Sequence, residues 1–148
     1  MKKKATLLIA LLLISIIAFS ANAPRRIVLS TTYTSVDIAI DDIAKNRLPE
    51  AGIFPESVDK EYGRIKTEPV ELQKLNGTGI YNIRVYSSQG GVVMVELSGT
   101  WIISGYNEKT PSSFEKKERA QKGSIAAKTW NNIEGISEII PHTEKTYR

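Results

Sequence analysis

The chain has 148 residues, 41% hydrophobic and 24% charged, which suits one globular domain behind a leader. It has no cysteine, so it holds no disulfide framework, no thiolate site and no lipidated cysteine; its one histidine, His142, excludes a histidine-rich metal site within one chain. The net charge of +4 falls to 17 basic against 16 acidic residues, +1, once Lys2, Lys3 and Lys4 are set aside, so no global field steers nucleic acid to the domain.

Those three lysines open a leader. An apolar run from Ala5 to Phe19 follows, then small residues, the plan of a secretory signal peptide over residues 1–23. Cleavage is expected after Ser20 or after Ala23, although Pro24 disfavours the second site; the alternative is a retained anchor, the one route by which a membrane would hold the chain. Either way the domain, residues 24–148, is expected to be periplasmic or secreted in a bacterium.

Ile27-Val28-Leu29 reads as a short edge strand or an ordered lead-in. Thr34 or Ser35 caps a helix carrying Val36, Ile40, Ile43, Ala44 and Leu48 on one face, expected to end at Leu48-Pro49. Residues 53–105 then read as four strands. Ile53–Val58 pairs with Arg64–Leu72 across a turn at Gly63, with Pro69 at an edge or a bulge. Tyr81, Ile83 and Val85 alternate with Asn82 and Arg84, and Val93, Val95, Leu97, Trp101 and Ile103 share one face of the longest strand, which Gly99 interrupts as a candidate bulge. Short loops between the strands imply antiparallel order. Ser112-Ser113-Phe114-Glu115 matches a capping box for a helix over Phe114–Gln121, and Ser124–Glu134 is the packed part of the C-terminal helix, with Trp101 and Trp130 expected in the core where helix meets sheet. Thr143–Arg148 reads as a frayed polar tail, and His142 just before it as solvent-exposed. The expected fold is α+β: a four-stranded antiparallel meander with an N-terminal and a C-terminal helix packed on one face.

The first hairpin reads Asp59-Lys60-Glu61-Tyr62-Gly63-Arg64-Ile65-Lys66-Thr67. This phrase, after a helix, resembles bacterial envelope domains with a fold similar to the TATA-box-binding protein: the repeats of the outer-membrane-assembly lipoprotein, and domains of unknown function in exported Bacteroidota proteins. The chain departs from the lipoproteins in lacking the lipid-bearing cysteine. The resemblance implies a non-catalytic envelope or interaction module and supplies no catalytic residue.

Candidate chemistry is sparse. Asp37 and Asp41 share a helix face with Asp42 beside them, and with Glu96 they are the carboxylates on which a small metal-dependent hydrolase would rest; the plain reading is a solvated face. No G-x-S-x-G elbow is present, and the glycines at 77, 79, 90 and 91 lead into strands without a P-loop lysine. Lys116, Lys117, Arg119 and Lys122 alternate with Glu115 and Glu118 as a solvated face. The favoured candidate is the sheet face away from the helices, where Ile80, Tyr86, Val92 and Met94 form an apolar binding surface. The expected activity is non-enzymatic binding of an envelope protein or a second copy of the chain, with no cofactor, no metal and no nucleic acid. The remaining alternative is a structural subunit that associates edge to edge.

Overall fold

The computed structural model describes residues 23–72, 75–117 and 123–148. Residues 1–22 of the leader and residues 118–121 of the segment Phe114–Gln121 expected as helix lie outside the described residues; Phe114–Lys117 are described and are not helical.

The chain builds one eight-stranded antiparallel sheet, not a four-stranded meander. Its strands are β1 (Ile27–Thr31), β2 (Pro55–Asp59), β3 (Arg64–Thr67), β4 (Val70–Leu72), β5 (Gly77–Ser87), β6 (Val93–Ile103), β7 (Ser112–Ser113) and β8 (His142–Tyr147). The order is β2-β3-β5-β6-β1-β8, with β4 beside β3 on β5 and β7 on β6. Helix α1 spans Val36–Asp42 and α2 spans Ile125–Ile139.

Three segments account for the correction. β1 is no edge: it lies between β6 and β8, and Ile27, Val28 and Leu29 are all buried. Val28, on the outer face, is as buried as Ile27 and Leu29 on the inner one, so the run reads as continuously apolar and not as an alternation. The C-terminal tail is strand β8, antiparallel to β1, and its end is closed by backbone bonds between Arg26 and Arg148. On its inner side Lys145 pairs with Glu134 (3.3 Å) and Glu138, and Tyr147 meets the Trp130 ring at 6.2 Å. Trp101 is partly buried against the same core. His142 is half-buried, with Nδ1 2.7 Å from the Ile140 carbonyl oxygen.

The capping box at Ser112 is the third correction. Ser112–Ser113 pair with Trp101 and Thr100 of β6, and the next residue, Phe114, is a fully buried core side chain. Its ring lies over Gly99 and meets Tyr81 edge-on at 5.3 Å. Gly99 makes no bulge: β5 and β6 stay in register from Gly77↔Ile103 to Ser87↔Val93.

The first helix also runs past Pro49. Residues Ile43–Arg47 form a π-helical segment, in which the Leu48 amide donates to Ile43 O, and a last turn covers Leu48–Glu50. A proline in regular α geometry collides with the carbonyl four residues back and leaves it without a donor. The wider π turn takes up that misfit before the proline arrives. Ser35 caps the start by accepting from the Ile38 amide (3.2 Å).

The β2–β3 turn needs glycine twice over. Gly63 has φ +62°, and a Cβ there would lie 2.0 Å from Val85 O, because Val85 N donates to Gly63 O at 2.7 Å. The strand then breaks at Glu68-Pro69 into β3 and β4.

Both helices share one core with the odd-numbered residues of β5 and β6: Tyr81, Ile83, Val85, Val93, Val95 and Leu97. The even-numbered residues point the other way, and among the described residues no helix packs on them. No described helix is long and apolar enough to cross a membrane.

Candidate functional site: the outer sheet face

The outer face follows from strand parity and register. Tyr86 stands directly opposite Met94, and Met94 opposite Ser30 of β1. Tyr86 and Met94 are half-exposed, and Val92, 45% exposed, closes the same end at the β5–β6 turn. Tyr86 and Met94 are therefore cross-strand neighbours, with exposed Val92 in the adjoining turn. Ile80 faces the same way but pairs with Thr100, about 20 Å along the strand from Tyr86. The apolar surface is thus not continuous: Asn82 and Arg84 on β5, with Ser98 and Glu96 on β6, separate its two ends.

That polar middle is a shallow groove of about 450 Å³ lined by Arg64, Lys66, Asn82, Arg84, Glu96 and Ser98, among others. The register runs Asp59, Arg64, Arg84, Glu96 across four strands. Two arginines directly opposite each other repel. Their natural neutralisers are engaged elsewhere: Glu96 pairs with Arg26 at 3.3 Å, and Asp59 accepts from the Tyr62 amide at 3.0 Å. No carboxylate of the described residues reaches ion-pair distance of Arg64 or Arg84. Each guanidinium lies instead over a tyrosine ring, Arg64 over Tyr62 at 5.9 Å and Arg84 over Tyr86 at 5.4 Å. Lys66 pairs with Glu56.

The sequence alone does not single out Arg64 and Arg84. Each reads as the polar half of an alternation, and only the pairing of β3 with β5 sets them side by side. The signal available was the repeat Tyr-x-Arg and Arg-x-Tyr around them.

The carboxylates considered for a metal-dependent hydrolase do not gather. Asp41 pairs with Lys45 (3.0 Å) and Lys60 (2.9 Å). Asp42 accepts from Tyr33 (2.6 Å), Asn46 (2.7 Å) and Arg47 (2.9 Å). Burial raises the Asp42 carboxyl, but those three donors outweigh it and hold the group at about 2. The Tyr33 phenol is pushed up, first by burial and then by Asp42. Glu96 lies across the sheet from α1, and among the described residues no cluster of three or more acidic, histidine or cysteine side chains is placed to hold a metal.

No protein-family model matches the chain, and no curated protein matches it.

Proposed function

We propose that this protein is a non-enzymatic binding module of the bacterial envelope, exported by its leader, and that it engages a protein partner through the outer sheet face. One observation carries the reading. Tyr86 and Met94 face each other on a sheet surface that no described helix covers, and Arg84 lies on the Tyr86 ring with no acidic partner. Tyr and Arg are enriched among the residues that carry interface energy, and Met among interface residues generally. The arginine pair adds chemistry: the complementary surface is an apolar spot beside carboxylates, which supply the charge that Arg64 and Arg84 lack. The basic start and apolar run of residues 1–19 support export, and the Asp59–Thr67 hairpin, similar to that of exported envelope domains, points the same way.

The test is affinity capture from envelope extract with the wild-type protein and with a Tyr86→Ala, Met94→Glu double substitution. A partner retained by the first and released by the second, with thermal unfolding unchanged, supports the reading. Identical capture by both proteins removes it.

A further inference from the structure

A second concavity lies on the helix side of the sheet, between α2 and β4. It encloses about 560 Å³ and is bordered by Gly52, Ile53, Leu72, Tyr81, Asn132 and Gly135, among others. Tyr81 is only 1% exposed, and its hydroxyl has no hydrogen-bond partner among the described residues. Buried polar groups are ordinarily paired, since a dry donor or acceptor forfeits its hydration for nothing. Burial pushes the phenol pKa up; the nearby Asn132 carboxamide offsets part of this, though the two do not meet with the geometry of a full hydrogen bond. The hydroxyl is therefore neutral and able both to donate and to accept.

Two further observations bear on what pairs with it. Gly135 sits inside α2, where glycine is disfavoured, yet a Cβ there would meet no atom within 4 Å. No close approach demands glycine; its missing side chain widens the cleft. The opposite wall is β4, whose residues Val70, Glu71 and Leu72 all line the concavity. β4 pairs with β5 alone, so its other edge is unpaired among the described residues. An open strand edge beside a cleft is the geometry of strand addition by a peptide.

We propose that this cleft is a peptide-binding site: an extended segment of another protein pairs with the free edge of β4 and lowers a side chain beside Gly135 onto the Tyr81 hydroxyl. The tip of that side chain is an uncharged hydrogen-bonding group, a carboxamide or a hydroxyl. Glu71, Lys128, Asn131 and Asn132 line the cleft's polar side, but beside Ile53, Leu72 and Ile136 a neutral phenol that both donates and accepts is matched by an uncharged group at no cost in buried charge. The site is independent of the outer face, since Tyr81 and Tyr86 point to opposite sides of β5.

A phage-displayed library of random linear peptides, selected on the immobilised protein, supplies the probe; binding of the enriched peptide is then measured by fluorescence anisotropy. The expected consensus contains Asn, Gln, Ser or Thr at one fixed position. Gly135→Leu fills the cleft and weakens binding about tenfold or more, and Tyr81→Phe, which removes one oxygen, weakens it about three- to tenfold. Bound peptide also slows amide hydrogen exchange on β4. The outer-face pair Tyr86→Ala, Met94→Glu leaves affinity unchanged. No consensus, equal affinity for Tyr81→Phe, or loss of binding only in the outer-face variant overturns the proposal, and the last of these leaves the outer-face reading standing. Should Gly135→Leu fail to fold, Tyr81→Phe still decides.

Discussion

The ring of Phe114 occupies the volume that a side chain at Gly99 would need. A Cβ at Gly99 would lie 2.4 Å from Phe114 Cε2, and the Phe114 amide donates to Gly99 O at 2.9 Å. The glycine in the longest strand is thus a socket for an aromatic ring, and Gly79, whose Cβ would sit 3.2 Å from the same ring, extends it. Gly99→Ala is expected to cost about 1–3 kcal/mol by overpacking, and Phe114→Ala about 3–5 kcal/mol by leaving a cavity. The two should not add: with the ring gone, the alanine methyl fills vacated space. Urea unfolding of both single variants and the double variant measures this coupling; additive losses would mean that the ring and the glycine do not share the site.

Removing β8 should unfold the protein. Truncation after Pro141 strips β1 of one neighbour and Trp130 of its Tyr147 cover, and removes the Lys145 pairs to Glu134 and Glu138. These losses rival the whole stability of a small domain, on the order of 5–15 kcal/mol. Thermal unfolding followed by circular dichroism should lose its cooperative transition. A transition that survives intact would return this segment to the status of a frayed tail.

How much of this was legible in the sequence depended on whether the apolar pattern reported the neighbour. β5 and β6 each have one helix-covered and one open face, so period two separated their inward residues, Tyr81, Ile83, Val85, Val93, Val95 and Leu97, from their outward ones. β8 hid because its inward residues, Lys145 and Tyr147, are satisfied by Glu134, Glu138 and Trp130, not by apolar contacts. Phe114 hid behind two serines and a glutamate that fit a helix start. Arg64 and Arg84 are twenty residues apart, and their adjacency depends on register, which a single strand does not encode.

Stability should depend on acid through Asp42. Its folded value of about 2 lies below the ordinary 3.8, so its contribution is fully present above about pH 4 and is lost as pH falls toward 2. The loss amounts to about 1–2 kcal/mol. Asp42→Asn should be less stable than wild type at pH 7, and the two unfolding curves should converge near pH 2. A constant difference across that range would assign the effect to packing.

Binding through the arginine pair should be salt-sensitive. Arg84→Glu places a carboxylate opposite Arg64 and next to Glu96, so it should leave folding nearly unchanged while reversing the charge offered to the partner. Surface plasmon resonance at low and high salt should show faster dissociation for Arg84→Glu, and a wild-type affinity that falls as salt rises. Salt-independent binding would remove the anionic component from the partner's surface.

The measurement that bears most directly on the account is capture of a partner from envelope extract by the wild-type protein against the Tyr86→Ala, Met94→Glu variant, with unfolding monitored in parallel. A specific protein is expected to be held by the first and lost by the second at equal thermal stability. Capture that is indifferent to both substitutions, or a variant that collapses because these side chains hold the fold, would contradict it.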